Sequence, residues 1–261
     1  METFFNPQIS LLGFAIGFLV GLTGMGGAAL LTPLLIYVGG VRPLLAVGSD
    51  LVFSSITKTF GAWQHARQKT VDFSVVKSLA IGSVPAALLG SITVKFLSAH
   101  YGAFVDDILK RILGVTLVLV ALFLFSRALS RNGQFFFIKH HEPKEHPERK
   151  VTIFLGAGVG FLVGLTSVGS GSLIVPFLIF LHPLSAARVV GTDIFHAAIL
   201  TTVAGSAHFL SGNVDMVLVG NLLVGSIPGV LLGGRLTIEI PHRVLRGTLA
   251  VALFATGLKL L

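Results

Sequence analysis

The segment Gly17–Thr23 reads GFLVGLT and occurs again, letter for letter, as Gly160–Thr166. The same offset of 143 residues continues without a gap through further pairs: Pro33 with Pro176, Gly48-Ser49-Asp50 with Gly191-Thr192-Asp193, His65 with His208, Val71-Asp72 with Val214-Asp215, and Gly82-Ser83-x-Pro85 with Gly225-Ser226-x-Pro228. A single register held over this length indicates a duplicated unit.

Composition places both copies in a membrane. Hydrophobic residues make up 53% of the chain and charged residues only 11%, with a mean hydropathy of +0.90, whereas soluble domains carry about 25% charged residues. Several apolar stretches exceed the ~20 residues that cross a bilayer as a helix. These stretches are 9–38, 47–64, 73–97 and 105–126 in the first copy, and 151–181, 190–208, 216–236 and 243–260 in the second. We predict an all-α, polytopic transmembrane helical bundle.

A polar segment separates the two copies. Arg127–Lys150 carries six Lys and Arg residues, and basic loops of membrane proteins face the cytoplasm. We therefore predict transmembrane repeat 1 at 1–126, a cytoplasmic linker at 127–150 and transmembrane repeat 2 at 151–261. The net charge of +8 is explained by such loops, so we expect no nucleic-acid partner.

Loop charge also bears on how the copies are oriented. The loop near 65–72 contains Arg67 and Lys69, while the equivalent loop near 208–215 contains neither Lys nor Arg. Equivalent loops with different charge are expected on opposite sides of the membrane. The repeats are therefore predicted to be inverted.

The first apolar segment of each copy is broken. Residues 9–38 would form a helix of about 45 Å at 1.5 Å per residue, which is too long for one straight span. Thr23-Gly24-Met25-Gly26-Gly27 interrupts it before Pro33, and Ser167–Ser172 interrupts the second copy before Pro176. We expect two short helices joined by a Gly/Ser turn, which are either re-entrant or form two thin crossings.

Such interrupted segments predict a transport site. Non-helical backbone at membrane depth is tolerated where it is buried or lines a cavity, and matching interruptions in two repeats point to a binding site. A helix that begins after the turn offers unpaired N–H groups and partial positive charge to an anion. The candidate substrate-binding residues are Thr23, Gly24, Gly26, Gly27, Thr166, Ser167, Gly169, Ser170 and Ser172.

Other glycines are interpreted as packing positions. They recur at small-xxx-small spacing, which lets helices approach closely, and they are Gly13, Gly17, Gly21, Gly156, Gly160 and Gly164. The turn glycines could serve the same purpose, and we favour the binding interpretation for them.

Ionisable residues inside the spans form a second group of candidates. Asp50, Ser54 and Lys58 fall on one helical face, and the equivalent segment carries Asp193 and His196. Because a charge at the membrane centre costs about 2.5–3.5 kcal/mol, this face must point to the interior. Lys58 either supplies positive charge to an anion or neutralises an aspartate. Asp193 and His196 either couple transport to protons or form a structural polar network.

Four residues at span ends receive structural interpretations. His65 and His208 are expected to be interfacial, and their spacing does not suggest a metal site. Asp72 and Asp215 are expected to be helix N-caps. The chain has no cysteine, and we expect no metal and no cofactor.

The sequence resembles the TauE/SafE sulfite-exporter family, also called the TSUP permeases. The resemblance rests on GFLVGLTGMGGAALLTPLL, on GFLVGLTSVGSGSLIVPFL, and on the segments VGSDLVFSSITKTFGAWQH and VVGTDIFHAAILTTVAGSAHFLSGNVD, and it covers nearly the whole chain outside the linker. Membership implies transport of sulfite, sulfonates or related anions across the bacterial inner membrane. Ser167 and Ser170 stand where the first turn has Gly24 and Gly27, which implies two unequal half-sites.

The leading hypothesis is a secondary carrier for a small sulfur-containing anion, coupled to protons or to the membrane potential. One alternative is a passive anion channel. Another is an intramembrane hydrolase that uses Asp50 with Asp193, or Ser170 with His196. No Walker motif is present, so the chain itself does not hydrolyse ATP. Oligomeric state stays open, with a homodimer as one option.

The linker orientation is directly testable. A protease site or cysteine tag inserted in Arg127–Lys150 should be protected from an added protease or impermeant reagent in intact cells and should react once the cells are opened. The reason is that the basic residues of the linker resist translocation. The matched control is the same tag after Leu261. Labelling of the linker from outside would overturn the orientation.

Overall fold

The computed structural model describes residues 5–23, 28–102, 104–129, 149–169, 171, 173–182, 184–236 and 242–261. Ten helices and no strand occur within these ranges, which confirms the all-α prediction. The helices are α1 Pro7–Thr23, α2 Ala28–Tyr37, α3 Pro43–Arg67, α4 Phe73–Tyr101, α5 Phe104–Leu129, α6 Arg149–Thr166, α7 Ile174–Leu181, α8 Ala186–Leu210, α9 Met216–Leu236 and α10 His242–Leu260. Most of the linker, 130–148, lies outside the described residues.

The protein is a multi-pass membrane protein. Five helices of the described part are long and apolar enough to cross a bilayer, namely α4, α5, α6, α8 and α9. The central helix α3 is equally long but less apolar, because it carries Asp50, Lys58 and Arg67.

Each broken segment consists of two helices, but only the second is short: α2 has 10 residues and α7 has 8, whereas α6 is long enough to cross a bilayer. α1 ends at Thr23 and α2 begins at Ala28, while α6 ends at Thr166 and α7 begins at Ile174. The described residues between α6 and α7 form turns. The intervening residues 24–27 of the first copy lie outside the description.

Helices from different repeats pack through glycine. A Cβ at Gly17 of α1 would lie 2.3 Å from the Ser226 carbonyl oxygen of α9, and one at Gly160 of α6 would lie 2.2 Å from the Ser83 carbonyl oxygen of α4. Any side chain would therefore push the two backbones apart. The packing interpretation is confirmed for five glycines, namely Gly13, Gly17, Gly156, Gly160 and Gly164.

The helices α3 and α8, which are equivalent in the two repeats, pack against each other in opposite directions. Gly48 near the start of α3 meets Asn213 just after α8, and Gly205 near the end of α8 meets Leu51. The equivalent helices α5 and α10 are also antiparallel, since Gly114 of α5 lies beside Leu260, while Val118, one turn later, lies beside Gly257. The inversion of the repeats and the orientation of each copy in the membrane stay predictions.

The N-cap interpretation of two aspartates is confirmed. Asp72 Oδ1 accepts hydrogen bonds from the N–H groups of Ser74 and Val75 at 3.1 and 3.2 Å. Asp215 Oδ1 does the same for Val217 and Leu218, both at 2.9 Å. Both caps satisfy N–H groups that would otherwise lack partners at a helix start.

The glycine contacts predict a contrast between two substitutions on α6. Gly160→Ala should destabilise the protein by about 1–3 kcal/mol, as expected for overpacking. Gly158→Ala is the matched control, because a Cβ there meets nothing within 4 Å, and it should be neutral or slightly stabilising. Thermal unfolding in detergent measures both; equal midpoints would contradict the packing analysis.

Candidate functional site

Two equivalent hydroxyls join the repeats at the ends of the central helix pair. Ser49 Oγ accepts a hydrogen bond from the Asp215 N–H at 3.0 Å, and Thr192 Oγ1 accepts one from the Asp72 N–H at 2.9 Å. Each hydroxyl thus holds the loop that precedes α9 or α4 in the opposite repeat. This explains why a hydroxyl residue stands before each buried aspartate.

The glycine of each tripeptide allows that contact. A Cβ at Gly48 would lie 1.9 Å from the Asn213 carbonyl oxygen, and one at Gly191 would lie 2.6 Å from the Thr70 carbonyl oxygen. The first two residues of Gly-Ser-Asp and of Gly-Thr-Asp therefore form contacts between the repeats. The third residue of each, Asp50 or Asp193, is buried in the interior.

Asp50 is fully buried and well supplied with donors. Its Oδ1 accepts from Ser54 Oγ at 3.0 Å, and its Oδ2 accepts from Thr32 Oγ1 of α2. The Ser167 hydroxyl faces the same carboxylate, without reaching hydrogen-bond geometry. Sequence reasoning identified Ser54 from helical spacing but missed Thr32, whose only signal was a hydroxyl before Pro33 in an apolar segment.

Lys58 connects the two aspartates. It is 9% exposed, and it interacts electrostatically with both Asp193 and Asp50, more strongly with Asp193. The predicted polar face of α3 is confirmed, because Asp50, Ser54 and Lys58 are all buried. The first copy thus supplies the ammonium group that faces carboxylates from both copies.

His196 lies on the same side of α8 as Asp193, three residues earlier, and is fully buried. Its Nε2 lies 2.7 Å from Ser83 Oγ of α4, and its Nδ1 has no hydrogen-bond partner among the described residues. Sequence reasoning missed Ser83 as a site residue, although the repeated Gly-Ser-x-Pro motif marked its position.

The turn after α6 lies against this cluster. Its backbone is left-handed at Ser167, with a φ of 64°, and positive φ values of 120° and 112° follow at Gly169 and Gly171. Ser167 faces Asp50, and a Cβ at Gly171 would lie 3.3 Å from Asp193 Oδ2. The break after α6 and the buried charges, which the sequence predicted separately, thus lie next to each other in the structure.

The remaining predicted turn residues are described only in part. Thr166 is buried, and its Oγ1 donates a hydrogen bond to the Leu162 carbonyl at 2.8 Å, so this hydroxyl is used within the last turn of α6. Thr23 ends α1, and its side chain is not described. Gly24, Gly26, Gly27, Ser170 and Ser172 lie outside the described residues.

His208 is buried inside the protein at the end of α8, and its place relative to the membrane interface stays a prediction. It is 1% exposed, and its Nε2 donates to the Gly164 carbonyl oxygen at 2.8 Å. That carbonyl lies in the last turn of α6, where no helical N–H is left to bond it. His208 therefore fixes the helix end that leads into the Ser167 turn. Its counterpart His65 is half-buried and lies 2.9 Å from Thr70 Oγ1.

A polar cleft of about 460 Å³ opens near the N-terminal ends of α4 and α6. Thr152 Oγ1 lies 3.2 Å from His182 Nε2 in its wall, and burial lowers the pKa of His182 while nearby Asp72 opposes the effect. Arg188 bonds Asp72 at 3.1 Å beside it. The cleft lining is Asp72, Ser74, Val75, Lys77, Ser78, Arg149, Thr152 and His182. The cleft thus lies at one end of the helix bundle, where α4 and α6 begin.

The family model of the sulfite exporter TauE/SafE matches residues 9–260, which is almost the whole chain. The chain belongs to the TauE/SafE family. This TauE/SafE protein is 46% identical over 225 residues to the probable membrane transporter protein YjnA of Bacillus subtilis, covering 84% of this chain and 85% of the relative.

More distant relatives carry similar descriptions. A probable membrane transporter protein of Xylella fastidiosa is 30% identical, covering 76% of this chain and 73% of the relative. One from Methanocaldococcus jannaschii is 28% identical, covering 80% and 74%. No solved structure matches the chain. The family and the shared description of these relatives together identify the chain as a membrane transporter.

The left-handed backbone at Ser167 predicts an ordered stability series. Ser167→Gly should be more stable than Ser167→Ala by about 1 kcal/mol, because only glycine adopts this conformation without steric cost. Ser167→Val should be the least stable, since a β-branched side chain fits positive φ worst. Thermal unfolding of the three variants tests the order; a Val variant as stable as the Gly variant would contradict the turn geometry.

Proposed function

We propose that this protein is a secondary carrier for sulfite, an organosulfonate or a similar small anion, with its binding site at the turns of the two broken segments. The observation that carries the proposal is the meeting of the Ser167–Leu173 turn with the buried Lys58 cluster. A carrier site needs donors and a positive charge in a place where water is scarce, and the two features supply them together.

The start of α7 is suited to an oxyanion. Its N-cap residue, Leu173, provides no side-chain hydrogen bond to the first turn, so the N-cap position itself leaves the first N–H groups of α7 without an acceptor. Such groups and the helix dipole favour a bound anion. Glycine at 169 and 171 lets a ligand approach the backbone, since no Cβ stands in the way.

The substrate class follows from donor chemistry and from the family. Sulfite and sulfonates present three oxygens around one sulfur, which can accept several backbone and hydroxyl hydrogen bonds at once. Lys58 would add a charge-assisted bond. The description of the family as sulfite exporters supports the same class of anion.

The repeat arrangement supports a carrier over a passive channel. The antiparallel pairs α3–α8 and α5–α10 fit an inverted repeat, in which alternating access moves one half against the other around a central site. We place the protein in the bacterial inner membrane, with the linker in the cytoplasm and coupling to protons or to the membrane potential. A carrier shows counterflow exchange, which a channel does not.

Ligand binding is testable with purified protein. A thermal-shift panel of sulfite, sulfoacetate, taurine, thiosulfate and acetate should show stabilisation by at least one sulfur oxyanion, because a ligand at 100 times its Kd adds about 2.7 kcal/mol. Stabilisation by acetate alone would redirect the substrate class to carboxylates.

The role of Lys58 is testable by substitution. Lys58→Ala should lower anion affinity at least about tenfold, because a hydrogen bond to a charged group contributes about 1.5–3 kcal/mol. The double variant Lys58→Ala with Asp193→Asn removes one charge of each sign, and it should bind the anion at least about tenfold more weakly than Asp193→Asn alone. Lys95→Ala, at an exposed position of α4, is the control. Equal affinity of the double variant and Asp193→Asn would remove Lys58 from the site.

A further inference from the structure

The two buried aspartates are equivalent in the repeat but differ in their hydrogen bonding. Asp50 accepts from the hydroxyls of Thr32 and Ser54. Asp193 Oδ1 has no hydrogen-bond partner among the described residues. An ionised carboxylate in a dry interior needs donors, whereas a protonated acid tolerates their absence far better.

The sequence of the repeat explains this difference in hydrogen bonding. The positions equivalent to Thr32 and Ser54, 143 residues later, are Val175 and Ala197. Both hydroxyls that support Asp50 are thus replaced by apolar side chains around Asp193. The second copy has kept the carboxyl but not these two hydroxyls.

The charged groups around Asp193 leave one carboxylate uncompensated. Among the described residues, α3 contributes Lys58 and Asp50, α8 contributes His196, and α4 contributes the uncharged Ser83. Lys58 can balance only one carboxylate. With both aspartates ionised and His196 neutral, the cluster would carry one net negative charge beside the proposed anion site.

We infer that Asp193 is the proton-carrying residue of the carrier, so that one proton binds with each monovalent anion. The inference rests on the proposed function. When the anion arrives at the turn, a proton from water bonds to a carboxylate oxygen of Asp193, and Lys58 exchanges Asp193 for the anion as its partner. Release of the anion reverses both steps, and the proton returns to water.

Charge conservation is the physical reason for the coupling. Adding one anion and one proton leaves the net charge of the buried cluster unchanged, whereas an anion alone would add an unpaired charge to a low-dielectric interior. Asp193 is also the carboxylate beside Gly171, so its neutralisation removes repulsion at the turn. Asp50 keeps its charge and its two hydroxyl donors throughout.

Infrared spectroscopy tests the protonated residue without any substrate. Protein in nanodiscs at mildly acidic pH should show the carbonyl stretch of a buried carboxylic acid. Substitution to glutamate keeps both carboxyls and the charge balance of the cluster. Asp193→Glu should therefore shift the frequency of the band, and Asp50→Glu, the repeat-matched control, should leave it unchanged. A shift only in Asp50→Glu, or absence of the band from the wild type, would overturn the inference.

A second variant keeps the carboxyl and changes only its donors. Val175→Thr with Ala197→Ser gives Asp193 the hydroxyls that Asp50 has, so the acid band should weaken at the same pH. The converse variant, Thr32→Val with Ser54→Ala, should leave the Asp193 band in place. An unchanged band in the first variant would show that donor supply does not decide which carboxyl is protonated.

Transport separates this inference from the proposed function. In proteoliposomes with isethionate as the monovalent probe, the wild type should take up one proton per anion, reported by a pH dye. Asp193→Asn should lose accumulation driven by a pH gradient, and its counterflow should become independent of pH. Gradient-driven accumulation by Asp193→Asn would refute the coupling role. Absence of any sulfonate or sulfite flux in the wild type would refute the proposed function. The infrared result would still show whether Asp193 is the carboxyl that carries the proton.

Discussion

The Lys58 ammonium is the positive charge on which the interior of this protein depends. It lies in a membrane-spanning bundle with two buried carboxylates, Asp50 and Asp193, and interacts with both. Neither aspartate could stay ionised at this depth without a cation or several donors nearby. Since each aspartate belongs to a different repeat, the shared ammonium also ties the two halves together at the place where the proposed substrate would bind.

Close backbone packing holds that arrangement in place. Glycines on α1 and α6 bring these helices directly against α9 and α4 of the opposite repeat, and the Ser49 and Thr192 hydroxyls join the ends of the central pair. Few buried polar side-chain atoms of the described residues are left without a hydrogen-bond partner. Those that stay without partners among the described residues lie on Ser167, Asp193, His196 and His208, and three of these four side chains belong to the cluster or to the turn beside it.

The duplicated halves have become unequal where chemistry is expected. Lys58 has Thr201 as its repeat equivalent, His196 has Phe53, and Ser167 has Gly24. The scaffold positions, by contrast, are kept, as the matching pairs Val71-Asp72 before α4 and Val214-Asp215 before α9 show. A symmetric frame with an asymmetric interior can bind an anion between two halves and still assign different roles to its two aspartates.

The duplication, the apolar segments, their interruptions and the N-caps at Asp72 and Asp215 could be predicted from the sequence, because they depend on local composition and on one repeated register. Helical spacing was also enough to put Asp50, Ser54 and Lys58 on one face. The contact of the Ser167 turn with this face, the contribution of Thr32 and Ser83 to the cluster, and the burial of His208 against Gly164 became visible only in the folded structure. The partners in those contacts come from different helices, and Ser83 and His196 are 113 residues apart. Local periodicity fixes which way a side chain points on its own helix, but the neighbour it meets depends on how the helices pack.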